Sequence, residues 1–97
     1  MKVYFIATYR DLDKKYGLTG CRVVGYYDKL DLAKQCIEKN LGDIYEDGYY
    51  KYAVIEAHKP GLYPYCARPL FYKWKDNGYK RIKRPKQLKG ICNFTIG

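Results

Sequence analysis

A short stretch, Asp76-Asn77-Gly78, constrains the fold more than any other part of the chain. Asp and Asn tolerate the left-handed backbone that a tight hairpin turn requires, and Gly adopts it without steric cost. The run LFYKWK at 70–75 precedes this stretch, and YKRIKR at 79–84 follows it. Both runs intersperse rings or aliphatic side chains with cations. The sequence therefore predicts an antiparallel β-hairpin whose register is fixed by its turn.

The alternation of side chains along each strand divides this hairpin into two faces. On the first strand, one face holds Leu70, Tyr72 and Trp74, and the other holds Phe71, Lys73 and Lys75. On the second strand, Tyr79, Arg81 and Lys83 alternate with Lys80, Ile82 and Arg84. We expect one side to turn rings toward the core and the other to turn cations, with a ring beside them, toward water.

The remaining elements follow from periodicity and turn residues. Strands are predicted at 2–9, 21–27 and 49–58, a helix at 29–40, and a loop at 10–20. Apolar residues recur at helical spacing from Leu30 to Leu41, and Asp28 is the expected N-cap. Pro85 is expected to begin a helical turn or a loop.

These elements predict an α+β fold, with a mostly antiparallel sheet of about five strands and one main α-helix packed on one face. A length of 97 residues predicts a single domain over 1–97. The sheet face opposite the helix is expected to be uncovered, and an exposed aromatic face serves as a binding surface or an oligomer interface. The apolar tail ICNFTI at 91–96 is expected to dock on the sheet.

The charge of the chain is distributed unevenly. Residues 1–48 contain eight bases and eight acids, whereas residues 49–97 contain eleven bases and two acids, Glu56 and Asp76. The whole net charge of +9 therefore lies in the C-terminal half. Such asymmetry favours a polyanionic partner or an anionic ligand. The alternative interpretation is a charge that only maintains solubility.

Cations and rings in the C-terminal half provide a candidate binding site. Phosphate oxygens require charge-assisted donors, and nucleobases stack on aromatic rings. The predicted phosphate ligands are Arg68, Lys73, Lys75, Lys80, Arg81, Lys83 and Arg84, and the predicted stacking residues are Tyr63, Tyr65, Tyr72, Trp74 and Tyr79. In the alternative interpretation, Tyr72 and Trp74 belong to the core, and the lysines protect an edge strand from aggregation.

The sequence contains no pattern typical of an enzyme. Ser is absent, and so are the G-x-G-x-x-G, P-loop, H-E-x-x-H and G-x-S-x-G patterns. Glu56 and His58 share one strand face. An enzyme that uses them as an acid–base pair is the weakest of the alternative functions. The cysteines Cys21, Cys36, Cys66 and Cys92 form no C-x-x-C pair and are expected to be free thiols. We therefore predict a non-enzymatic protein without a catalytic residue, a metal site or a cofactor.

The N-terminal residues show no secretory pattern. The opening MKVYFIATYRD contains only a short apolar run, broken by Tyr9, Arg10 and Asp11, without a small-residue cleavage site. No run approaches the roughly 18 apolar residues of a membrane span. We expect a cytoplasmic protein without a membrane partner.

A family resemblance is carried by five runs: IEKNLGDIYEDGYYKYAVIE, YAVIEAHKPGLYPY, FYKW, GYKRIKRP and CNFTIG. Together they resemble small proteins of about this length from Firmicutes and their phages. The resemblance covers most of the chain and implies no assigned activity or site. It does imply the genomic context of phage proteins that disarm bacterial immunity in the host cytosol. Inhibitors that mimic DNA are usually acidic, so the basic charge of this chain disfavours DNA mimicry.

These observations lead to one main hypothesis and, besides the acid–base pair, two alternatives. The first is a binding protein for an anionic nucleotide-type ligand, a phage anti-defence protein that sequesters a nucleotide immune signal. The alternatives are a single-stranded nucleic-acid or RNA binder and a protein–protein inhibitor of a nucleic-acid-handling bacterial defence complex. We expect a homo-oligomer, because so small a domain forms a deep pocket most easily between protomers.

Overall fold

The structure, a computed structural model, describes residues 2–13, 17–60, 67–88 and 94. Within these residues the strands are β1 Val3–Tyr9, β2 Asp11–Asp13, β3 Gly17–Thr19, β4 Arg22–Tyr27, β5 Tyr52–His58, β6 Ala67–Lys75 and β7 Gly78–Ile82. The α-helix is α1, Leu30–Glu38, and two short 3-10 turns span Leu41–Asp43 and Lys86–Leu88.

Five of the strands form one antiparallel sheet in the order β4-β1-β5-β6-β7. The predicted α+β fold is therefore confirmed, because the described residues contain one α-helix beside a five-stranded antiparallel sheet. The predicted loop at 10–20 is wrong in part, because β2 and β3 pair there as a second, two-stranded sheet. Three-residue strands carry too little periodicity to be recognised from sequence.

The α1 helix begins one residue later than predicted, at Leu30. Lys29 is the N-cap residue and makes no side-chain capping hydrogen bond, so the prediction that Asp28 caps the helix is wrong. Asp31 lies in the first turn, where its negative charge interacts favourably with the helix dipole.

The face of α1 that carries Ala33 and Ile37 packs against the sheet. Its core partners include Ile6 of β1, Ile55 of β5 and Tyr72 of β6, all of which are buried. The helical spacing of the apolar residues therefore produces the first hydrophobic core.

A second core covers part of the opposite sheet face. Tyr9, Val54 and Phe71 pack there against Leu88 and Phe94, which come from the C-terminal part of the chain. The expectation that this face is uncovered is therefore wrong where Leu88 and Phe94 lie. Phe94 agrees with the expected docking of the tail, and residues 91–93 and 95–96 lie outside the described residues.

The hairpin of β6 and β7 turns through two residues, Asp76 and Asn77, with φ of 54° and 64°. Positive φ at both central positions is the geometry that matches the twist of paired strands. The predicted hairpin is confirmed, and Trp74 pairs directly with Tyr79 across it.

Candidate functional site

The side of the β6–β7 hairpin that faces away from α1 carries three exposed lysines: Lys73, Lys75 and Lys80. We call these three residues the lysine face. Lys73 lies directly opposite Lys80 in the strand register, and Lys75 lies opposite Gly78. In the described part of the chain none of the three forms an ion pair. Like charges directly opposite each other destabilise a hairpin.

Gly78 leaves room for one of these ammonium groups. A Cβ atom built on Gly78 would lie 3.7 Å from the Lys80 Nζ atom. Lys80 therefore extends over the turn end of the hairpin, toward the position opposite Lys75. The three cations share one face near the turn.

A half-buried ring adjoins the lysine face. The Lys73 Nζ atom lies 5.7 Å from the centre of the Tyr52 ring, within the range of a cation–π contact. The same ring stacks on Tyr9, with centroids 5.0 Å apart and planes 5° from parallel. Sequence reasoning missed Tyr52, although it lies two residues before Val54 on the same strand face and pairs directly with Lys73.

The rings predicted to stack on a nucleobase lie on the α1 side of the hairpin. Tyr72 and Tyr79 are each 2 % exposed and belong to the first core, and Trp74 is half-buried beside it. The Tyr79 hydroxyl donates a 2.6 Å hydrogen bond to the Tyr50 carbonyl. The structure therefore does not bring these rings together with the lysine face. Tyr63 and Tyr65 lie outside the described residues.

The other predicted phosphate ligands are separated from the lysine face. Arg81 is exposed and pairs with Tyr72, which places it on the α1 side, and Lys83 is exposed just after β7. Arg84 donates from Nε to the Leu88 carbonyl at 3.1 Å, and its guanidinium lies 5.4 Å from the Phe71 ring centre. These contacts indicate that Arg84 helps to hold the C-terminal part of the chain on the sheet. The Arg68 side chain lies outside the described residues.

An open cleft lies at the far end of the sheet, between β4 and residues 41–46. Its volume is about 400 Å³, and none of the predicted phosphate ligands lines it. Arg22 borders the cleft and pairs with Glu46 at 3.3 Å. The Arg22 guanidinium also lies 4.3 Å from the centre of the Tyr50 ring. This arginine is thus engaged in contacts within the protein.

The Glu56–His58 pair lies buried in the sheet, with Glu56 Oε1 and His58 Nε2 3.4 Å apart. Glu56 Oε2 also accepts a 2.7 Å hydrogen bond from the Phe94 backbone N–H. Cys21 donates from Sγ to the Phe94 carbonyl at 3.4 Å. Burial, with a smaller contribution from Glu56, raises the pKa of the Cys21 thiol. This arrangement attaches the C-terminal part of the chain to the sheet.

Among the described residues, no cluster of three or more His, Cys, Asp or Glu side chains has the arrangement of a metal site. The thiols described by the structure, Cys21 and Cys36, are free. Cys66 and Cys92 lie outside the described residues. None of the described helices combines the length and the apolar character needed to cross a membrane.

Comparison of the chain with protein-family models, with curated proteins and with solved structures finds no match. The resemblance to small Firmicutes and phage proteins therefore stays a prediction.

Proposed function

We propose that the protein binds the phosphate backbone of a single-stranded nucleic acid on the lysine face of the β6–β7 hairpin. The observation that carries this proposal is the direct pairing of Lys73 with Lys80, without an acidic partner among the described residues. A bound phosphate would replace the repulsion between these ammonium groups with charge-assisted hydrogen bonds.

The distribution of acids supports this proposal. The C-terminal half contains two acids, Glu56 and Asp76. Glu56 is buried and accepts a hydrogen bond from the Phe94 N–H, so it does not compensate surface lysines. Asp76 is an exposed residue of the turn and carries one negative charge against the three positive charges of the lysine face. The positive potential of the hairpin is therefore directed toward an external anion.

The shape of the lysine face favours an extended anion over a compact one. Lys73 and Lys75 lie two residues apart on one strand face, roughly 7 Å along the strand. Lys80 lies across the hairpin from Lys73. A row of exposed cations on a sheet can follow a phosphate backbone, whereas a small nucleotide is usually enclosed by a pocket. An anionic nucleotide, including a nucleotide immune signal, offers the same phosphate chemistry. Binding of nucleotides is therefore measured separately in the test below.

Binding of a fluorescently labelled oligothymidylate, followed by anisotropy between about 50 and 200 mM salt, tests the proposal. We expect the affinity to fall with salt, with a log–log slope of about −2 if three lysines each neutralise one phosphate of a single strand. The double variant Lys73→Gln/Lys80→Gln should reduce the magnitude of this slope by about 1.4. The control variant Lys29→Gln/Lys39→Gln loses the same charge at the two ends of α1 and should bind like the wild type.

Equal losses in the two double variants would overturn the assignment of the lysine face, because they would show that only net charge matters. Absence of oligonucleotide binding at low salt would overturn the proposed function. In the nucleotide arm, calorimetry with mononucleotides and cyclic dinucleotides should give much weaker binding than the oligonucleotide. Tight nucleotide binding with little salt dependence would favour a partly buried nucleotide pocket over the proposed surface.

A further inference from the structure

The two edge strands of the sheet differ in charge. The β7 edge carries Lys80 and Arg81, and Lys83 follows it. Cations on an edge strand hinder pairing with another strand. The β4 edge, RVVGYY, contains one charged residue, Arg22, which is engaged with Glu46 and Tyr50. Among the described residues, the β4 edge is therefore protected by fewer cations than the β7 edge.

The β4 strand also exposes apolar side chains. Val23 is 46 % exposed and Tyr26 is 68 % exposed. Val23 pairs with Ala7 and Tyr26 pairs with Phe5, and these β1 residues share one strand face. Val23 and Tyr26 thus lie on the same side of the sheet, away from α1. The open cleft lies beside Arg22, Val23 and Val24, with residues 41–46 on its other side.

An irregularity in β4 places its two central residues on the other side. The β1–β4 register shifts between Ile6 and Ala7, which leaves Val24 as an extra residue without a β1 partner. Val24 packs against the first core, and Gly25 pairs with Ile6 of the same core. Val24 and Gly25 therefore both lie on the α1 side.

We propose that a second copy of this chain pairs with the first, β4 against β4, in antiparallel orientation about a two-fold axis between Val24 and Gly25. The register that uses all six residues of β4 pairs Arg22 with Tyr27, Val23 with Tyr26 and Val24 with Gly25 of the second copy. In each pair the two residues belong to the same side of the sheet. The strand is self-complementary in this register, as an isologous interface requires.

The distribution of charge favours a second copy of this chain as the partner of β4. The one charged residue of β4, Arg22, is paired with Glu46 at 3.3 Å, so the strand itself brings no uncompensated charge to a contact between two copies. The basic hairpin lies at the other end of the sheet, four strand spacings or roughly 19 Å away. Pairing through β4 therefore places the two basic hairpins at the outer ends of one continuous sheet.

Sedimentation equilibrium and paired-cysteine cross-linking test this interface. We expect the wild type to sediment with twice the mass of one chain, and Val23→Lys/Tyr26→Lys to sediment as a monomer. The control Leu32→Lys adds a cation at another exposed apolar side chain, on α1, and should remain a dimer. Circular dichroism and Trp74 fluorescence should confirm that all three proteins are folded.

The register is tested in chains that carry Cys21→Ser, which removes the exposed thiol next to β4. A mixture of a Val23→Cys chain and a Tyr26→Cys chain should form a covalent dimer on oxidation, because cross-strand pairs meet disulfide distance. Either chain alone should cross-link far less. A monomeric wild type would overturn the proposal, as would a dimer that survives Val23→Lys/Tyr26→Lys or fails to cross-link in the mixture. A monomer that captures an extended peptide on β4 would assign the edge to another protein.

Discussion

Tyr45 lies flat against Trp74, with ring centroids 3.7 Å apart and ring planes 7° from parallel. Residues 40–48 produce this contact through an irregular path that includes left-handed backbone at Asn40 and Asp43. The Asn40 Oδ1 atom accepts the Tyr45 N–H at 3.0 Å, which fixes the start of this path over the sheet. One face of the Trp74 ring is thereby covered from within the protein.

The stack predicts that Tyr45→Leu lowers the free energy of unfolding by about 0.5–1.5 kcal/mol beyond the loss of buried area, because the flat contact between the two rings is lost. Tyr45→Phe keeps the ring and should lose less. Trp74 is the one tryptophan of the chain, so urea unfolding followed by its fluorescence reports on this site. Equal destabilisation by Leu and Phe would contradict the prediction.

Removal of the side-chain hydroxyl should affect stability differently at two buried tyrosines, Tyr9 and Tyr79. The Tyr9 hydroxyl is buried without a hydrogen-bond partner, whereas the Tyr79 hydroxyl donates to the Tyr50 carbonyl. Tyr9→Phe should therefore leave stability unchanged or raise it, because an unsatisfied buried polar group is removed. Tyr79→Phe should cost about 0.5–1.5 kcal/mol. Urea unfolding of both variants at neutral pH gives the comparison, and an equal loss in both would contradict it.

Alkaline pH should destabilise the protein through the same two side chains. Burial, as the largest cause, raises the pKa of both Tyr9 and Tyr79 above the value of an unfolded tyrosine, about 10. Below that pH both states keep the phenol proton, and the full stability is present. Above it the unfolded state releases its protons first, so stability falls as pH rises toward the folded pKa values. The urea midpoint measured from about pH 8 to pH 11 should decline above about pH 10, and less steeply in Tyr9→Phe.

The hydrogen bond between Glu56 and the Phe94 N–H predicts that substitution of Glu56 lowers the free energy of unfolding. Glu56→Ala leaves the buried Phe94 N–H without this acceptor, which should cost about 1–3 kcal/mol. Glu56→Gln keeps an oxygen at the same place and should cost less. Hydrogen exchange at the Phe94 amide should accelerate in Glu56→Ala. Glu38→Ala removes an exposed acid from α1 and should leave that exchange unchanged.

The features that sequence reasoning predicted are those encoded by neighbouring residues. The hairpin turn at Asp76 and Asn77 follows from local chemistry, and alternation correctly separated Phe71 and Lys73 from Trp74. The position of Phe94 on the sheet depends on Glu56, which is 38 residues away, and no local pattern encodes that pairing.

The candidate site, too, could be predicted only as far as local sequence patterns allow. Alternation placed Lys73 and Lys75 on one strand face but did not show which of the two faces forms the core, because both faces of this sheet pack against apolar side chains. Tyr72 and Trp74 therefore looked equally suited to a nucleobase and to a core. Their burial depends on α1 and residues 40–48, which come from another part of the chain.

Substitutions in the turn of the β6–β7 hairpin test whether the turn holds the lysine face in place. Asn77 has φ of 64°, a conformation that Gly adopts without cost and that β-branched residues rarely adopt. Asn77→Gly should therefore maintain or raise the free energy of unfolding, and Asn77→Val should lower it by about 1–2 kcal/mol. If the turn fixes the pairing of Lys73 with Lys80, Asn77→Val should also weaken oligonucleotide binding, although no charge is changed. Urea unfolding and anisotropy at one salt concentration measure the two effects. Unchanged stability in Asn77→Val would contradict the left-handed turn, and unchanged binding in a destabilised variant would show that the lysines act independently of the register.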